Sequence, residues 1–143
     1  MPTRTIAEVV RGQRILTANG DLSVREASER MAAERVGSVM VVRDGRLAGI
    51  FTERDALFRV LAARRDPETT RIADVMTANP QTITPDRPLG HAMHMMNEGG
   101  FRHVPVVVDG RPVGMVSARD ALGCELLAFE QELEQRESIS ERL

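Results

Sequence analysis

Along this chain the apolar positions switch between a helical and an extended period, and turn-forming residues punctuate each switch. Val24, Ala27, Met31 and Val36 recur at near-helical spacing, and Ser23 followed by Glu26 is a capping box that opens this helix. SVMVVR (38–43) is rich in β-branched residues and predicts a buried strand. Asp44-Gly45 predicts a type I′ hairpin turn, since glycine tolerates the positive φ this turn needs. RLAGIF (46–51) returns as the second strand. Thr52 and Asp55, spaced T-x-x-D, open a helix running to about Arg64. The polar stretch 64–70, with Pro67 inside it, reads as a linker.

The same order then repeats. A short helix over 71–76 leads into TANP and a short strand QTIT (81–84). Pro85, Asp86 and Pro88 start a helix that Gly99-Gly100 stop. HVPVVV (103–108), the Asp109-Gly110 turn and RPVGMV (111–116) form a second hairpin, and Ser117 with Asp120 opens the last helix. The two passes share residues as well as elements. GIFTERDAL (49–57) and GMVSARDAL (114–122) lie 65 positions apart, and at that offset Val39, Val41, Asp44 and Gly45 fall on Val104, Val106, Asp109 and Gly110. With one residue of slippage, TIAEVV (5–10) matches RIADVM (71–76).

Each unit is therefore β-α-β-β-α behind a short leading helix, an α+β arrangement. A unit of about 60 residues buries only about 60% of its unfolded surface, so two of them gain by packing their apolar faces together. The expected division is 1–64 as first domain, 65–70 as linker, 71–125 as second domain and 126–143 as a C-terminal helical extension. On that last helix Leu122, Leu126, Phe129 and Leu133 form an apolar stripe that overruns the repeat. Such a stripe needs a partner surface, either the chain's own body or another protomer.

Composition narrows the function classes. A formal net charge of −2 gives no electrostatic reason for nucleic acid or an anionic membrane as partner. No apolar run approaches the ~18 residues of a membrane span, and no signal-peptide pattern is expected at the start. Cys124 is the one cysteine, which excludes a disulfide framework and points to a cytoplasmic location. All 19 basic residues are arginine, so Schiff-base chemistry and the GK[ST] phosphate loop are both absent. Trp and Tyr are missing, which removes the usual stacking platforms of single-strand binders. No nucleophile stands with a base, so no enzyme activity is expected.

VMTANP (75–80) and FRHVPVVVDGRPVGMVSARD (101–120) in the second copy, with GSVMVVRDGRLAGIFTERD (37–55) in the first, resemble a tandem pair of cystathionine-β-synthase (CBS) domains. The resemblance covers about residues 4–125. It implies two α+β domains packed sheet to sheet with pseudo-two-fold symmetry, and two clefts between them. It also implies a regulatory module binding an adenosine-containing ligand such as AMP, ADP, ATP or NAD, pairing into a homodimer and signalling to a separate effector protein. The alternative is a ligand-free structural or adaptor protein.

By this resemblance Thr52, Arg54 and Asp55 serve one cleft and Ser117, Arg119 and Asp120 the other. A carboxylate accepts two hydrogen bonds at once and suits the vicinal hydroxyls of a ribose, while helix N–H groups and arginine favour phosphate. T-x-x-D and S-x-x-D are also ordinary helix starts, and the two roles are compatible. Arg102 and His103 stand where the family places phosphate-binding residues, and MTANP (76–80) leads to Thr82 and Ile83 beside the base. The first copy has Gly37-Ser38 and Ile15 at those places, so the second copy is expected to supply the better-equipped cleft. His91, His94 and Glu98 share one predicted helix face, read as solvated rather than metal-binding. Met93, Met95 and Met96 are expected to fill core and interface rather than bind a cofactor, and Cys124 to be a small buried residue.

Overall fold

The computed structural model describes Arg4–Arg142, apart from the side chains of 124–128 and 137–142; Cys124 and Leu126 lie outside the described side chains. The chain is α+β, with helix α1 (Ile6–Val10), strand β1 (Thr17–Asn19), helix α2 (Val24–Glu34), and the hairpin β2 (Ser38–Arg43) and β3 (Arg46–Thr52). Helix α3 (Glu53–Asp55) passes directly into a π-helical stretch (Ala56–Leu61). The second half runs α4 (Ile72–Val75), β4 (Thr77–Ala78), α5 (Leu89–Gly99), β5 (His103–Val108), β6 (Arg111–Ser117) and α6 (Ala118–Arg142).

Local chemistry accounts for most boundaries. Ser23 Oγ accepts the Glu26 N–H at 3.1 Å, and α2 ends where Arg35 turns left-handed. Asp44 and Gly45 have φ of 54° and 76°, and Asp109 and Gly110 have 51° and 80°, which are the type I′ conformations expected of both hairpins. Both hairpins carry an irregularity at the same place, Val41/Val42 and Val106/Val107.

Four details depart from the expected elements. The 81–84 strand shrinks to a single parallel bridge between Ile83 and Val106. In the first half the Met40 N–H binds the Leu16 carbonyl at 2.9 Å, and β1 pairs with β2 over three residues. Pro105 stands at the place of Met40 and has no N–H to give, so only the bonds of Ile83 remain. The helix opened by Thr52 is α for three residues and then widens, with Ala62 and Arg65 donating five residues back to Leu57 and Val60. Helix α5 begins at Leu89, behind a turn over 85–88. The fourth departure is β4, which extends the first sheet to the order β1-β2-β3-β4.

The two halves exchange their leading helices. Ile6 of α1 is fully buried in the second core with Ile83, Leu89, Val104 and Val116, while Ile72 and Val75 of α4 lie in the first core with Val39, Val41 and Phe51. Backbone bonds secure each exchange: Ile6 to the Arg87 carbonyl at 2.8 Å, and Ile72 to the Leu22 carbonyl at 2.9 Å. Two glycines of the echoed motif make room for it. A Cβ on Gly114 would lie 2.7 Å from Val10, and one on Gly49 would lie 2.8 Å from the Thr77 carbonyl oxygen. The halves also meet at their sheets, where the Leu47 N–H donates to the Gly110 carbonyl at 2.9 Å.

The 65–70 linker is a bonded turn: Thr70 is buried, its N–H reaches the Asp66 carbonyl at 2.9 Å, and Arg25 pairs with Glu68 at 3.1 Å. Met96 is buried in the second core and Met93 and Met95 pack against it. Leu122, Phe129 and Leu133 are exposed on α6, as are Leu57, Phe58 and Leu61 on the π-helical stretch. Among the described residues no helix is long and apolar enough to cross a membrane.

Candidate functional site

Each of the two echoed motifs becomes a capped turn at the mouth of a cleft. Thr52 and Asp55 form a reciprocal capping box: the Asp55 N–H donates to Thr52 Oγ1 at 3.3 Å, and the Thr52 N–H donates to Asp55 Oδ2 at 2.9 Å. Ser117 and Asp120 repeat it, with the Asp120 N–H to Ser117 Oγ at 3.1 Å and the Ser117 N–H to Asp120 Oδ2 at 3.2 Å. Helix capping is therefore a real role of all four residues, whatever else they do.

The Thr52 cleft, of about 540 Å³, is lined by Thr52, Arg54, Asp55, Phe58 and Arg59 from the first half. Thr77, Asn79, Pro80 and Gln81, with Phe101, Arg102 and His103, line it from the second. The Ser117 cleft, of about 700 Å³, joins Met115, Ser117, Arg119 and Asp120 of the second half to Ile15, Leu16, Val36, Gly37 and Ser38 of the first. Arg102 and His103 line both clefts.

This corrects the expected grouping. The segment around Asn79 and Pro80 faces Asp55, not Asp120, and Ile15 faces Asp120, not Asp55. The cause is the crossing of the leading segments, which lays each entry loop against the hairpin of the other half. Thr82 is exposed and lines neither cleft, and Ile83 is buried in the second core, 4% exposed. Ile83 faces inward because its backbone bridges β5 and its side chain alternates into the apolar layer.

The two aspartates differ in how far they are already satisfied. Asp55 is buried, and its Oδ2 also accepts the Thr52 hydroxyl at 3.1 Å while Oδ1 faces Arg59 Nε at 3.5 Å. Arg59 in turn donates to the carbonyls of Val75 and Met76 at 3.2 and 2.9 Å, tying this cleft to the end of α4. Asp120 is half-buried and lines the Ser117 cleft, and among the described residues its carboxylate accepts one backbone bond, from the Ser117 N–H. Arg54 lies over the Phe58 ring, 5.7 Å from its centroid.

Burial depresses the His103 pKa below its ordinary 6.5; Glu53, Asp120 and Asp55 oppose that depression and Arg102 adds to it. His91 and His94 are exposed, His94 stands 3.9 Å from Glu98, and no metal-holding group occurs among the described residues.

Several cleft residues escaped the sequence analysis. Arg35 takes the left-handed C-cap that Gly100 takes in the second copy, and Glu53 stands where the second copy has Ala118; both line the Ser117 cleft. Setting the copies side by side exposes these unlike pairs, but only the fold aims them at one space. Phe58, Phe101 and Arg59 gave no such signal, because they meet only across the junction.

The sequence profile of the CBS domain matches residues 6–62 and 72–125. The chain is 34% identical over 119 residues to the mitochondrial CBS domain-containing protein CBSX3 of Arabidopsis thaliana, covering 80% of this chain and 58% of that protein. It thus spans little more than half of that relative. A putative signal-transduction protein with CBS domains from Burkholderia ambifaria superposes with a TM-score of 0.81 at 29% identity, over 87% of this chain and 95% of that one. A CBS domain protein of Pyrobaculum aerophilum, solved with AMP, superposes with a TM-score of 0.74 at 26% identity, over 82% and 89% of the two chains.

Proposed function

Because this chain belongs to the CBS domain family, as a tandem pair, we propose that it is a non-catalytic regulatory module that binds an adenosine-containing ligand. The ligand class is AMP, ADP, ATP or NAD, and the signal passes to a separate effector protein in the cytoplasm. The observation that carries this reading is the geometry of the two clefts: each sets a capped hydroxyl–aspartate pair opposite an entry loop of the other half. The carboxylate suits ribose hydroxyls, Ile15 and Leu16 of the Ser117 cleft suit a base, and Arg102 between the clefts suits phosphate. The AMP complex of the Pyrobaculum protein supports the ligand class.

Binding is simple to observe. With no Trp or Tyr the protein absorbs almost nothing at 280 nm, so a 260 nm band on purified protein reports bound nucleotide. A ligand that binds only the native state adds ~2.7 kcal/mol at a hundredfold its Kd, and each kcal/mol raises Tm by about 2–8 °C. AMP, ADP, ATP, NAD or S-adenosylmethionine at millimolar concentration is expected to raise Tm by several degrees. No shift with any of them would favour a ligand-free adaptor. The chain further acts as a homodimer, for which the exposed Leu122, Phe129 and Leu133 supply an apolar face. Light scattering is expected to give twice the chain mass, falling to one chain for Leu122→Glu with Phe129→Glu; a monomeric wild type would reject the dimer.

A further inference from the structure

The leading segment of the first half reaches its hairpin differently from that of the second. In the second half β4 pairs with β3 through its backbone, Thr77 opposite Ile50. Met115 holds the place of Ile50 in the second copy of the repeat; it is paired with Pro105 of β5 on one side, and among the described residues no strand pairs with it on the other. A side chain does so instead. Gln13 Nε2 donates to the Met115 carbonyl at 2.8 Å, and the Met115 N–H donates to Gln13 Oε1 at 2.8 Å. The carboxamide thus reproduces both bonds of a missing strand residue.

The chain is shaped for this contact. The first leading segment is one residue longer, and Gly12 at φ 70° turns it just past α1, where the Gln13 N–H closes on the Val10 carbonyl at 3.0 Å. Gln13 also begins the run that forms one wall of the Ser117 cleft, with Ile15 and Leu16, and Met115 lies on that cleft too. Helix α1 is anchored independently through Ile6.

We propose that Gln13 is the positioning residue of the Ser117 cleft: its carboxamide clips the 13–16 wall onto β6 and so fixes the surface on which a base stacks. The Thr52 cleft needs no such residue, because β4 holds the corresponding wall by backbone bonds. The proposal deepens the nucleotide-binding reading and rests on it for the ligand.

The clefts can be followed separately in the intact protein. Met31, Met40 and Met115 line only the Ser117 cleft, while Phe58 and Phe101 line only the Thr52 cleft. Methyl-labelled methionine and fluorinated phenylalanine therefore report one cleft each during an AMP titration followed by NMR. Gln13→Leu, which keeps the bulk, and Gln13→Ala are both expected to weaken AMP about tenfold at the methionine probes. The phenylalanine probes are expected to give an unchanged affinity, and exchange of the Met115 amide is expected to accelerate in both variants. Equal weakening at both sets of probes, or full affinity in Gln13→Leu, would overturn the proposal. If AMP moves neither set in the wild type, the nucleotide reading fails for AMP. Unchanged Met115 exchange in the variants would then overturn the clip by itself.

Discussion

The Thr52 and Ser117 clefts follow one plan but are finished by opposite means. The Thr52 cleft has its entry loop zipped to the sheet by β4 and its aspartate buried beside Arg59, whose other donors reach the end of α4. The Ser117 cleft has its entry loop clipped at Gln13 by a side chain and held at Leu16 by the Met40 N–H, and among the described residues its half-buried aspartate accepts one backbone bond. The first has the more buried aspartate; the second is roomier, at about 700 Å³ against about 540 Å³. Duplication supplied the frame, and a few unlike residues divided the properties. Arg102 and His103 line both clefts, whereas their counterparts Gly37 and Ser38 line only the Ser117 cleft.

The largest expected effect tests the frame. Gly49→Ala places a Cβ against the Thr77 backbone carbonyl, and Gly114→Ala places one against the Val10 side chain, which has more freedom to shift. By urea denaturation Gly49→Ala is expected to lose about 3 kcal/mol and Gly114→Ala about 1–2 kcal/mol, the usual span of overpacking. The reverse ranking would mean that the two leading segments are not held as unequally as their backbone bonds imply.

Next come the aspartates. Asp120→Asn is expected to weaken AMP ten- to hundredfold in the Ser117 cleft, about 1.4–2.8 kcal/mol, with an apo stability loss of only about 0.3–1 kcal/mol. Asp55→Asn disturbs a buried acceptor of two Thr52 donors and removes a charge facing Arg59. Its apo stability is expected to fall by about 1–2 kcal/mol. Its effect on AMP is confined to the Thr52 cleft, read by calorimetry with cleft-resolved NMR. Loss of affinity in the wrong cleft for either variant would break the assignment of motifs to clefts.

The smallest effect is pH dependence through His103, which Glu53, Asp55, Asp120 and Arg102 all influence. With its pKa below 6.5 in the folded state, His103 binds fewer protons there than in the unfolded chain. It therefore favours folding fully above pH ~6.5 and loses that contribution as pH falls through its folded pKa. His103→Gln is expected to flatten this part of the apo stability profile. A phosphate at the shared wall draws the imidazole toward its charged form, so AMP affinity is expected to rise modestly from pH 7.5 to 6.5, whereas uncharged 5′-methylthioadenosine shows no rise. Identical profiles for the two ligands would remove His103 from phosphate binding.

What the sequence by itself determined is whatever depends on residues a few positions apart. The caps at Ser23, Thr52 and Ser117 and the two Asp-Gly turns were legible because their donors, acceptors and positive φ angles lie within one turn of chain. The duplication was legible for another reason, the same residues recurring in order 65 positions on, and it marked out the two T/S-x-x-D motifs. Which motif faces which was not. Treating each copy as a self-contained unit assigned the Asn79 segment to Asp120, and the exchange of α1 and α4 between the cores assigned it to Asp55. The fate of 81–84 turned on one missing N–H at Pro105, a strand away. The Gln13 clip spans 102 positions and leaves no local signature. A hydrogen bond or a turn is specified by neighbours in the chain, but a cleft between two halves exists only once their apolar faces have chosen how to cross.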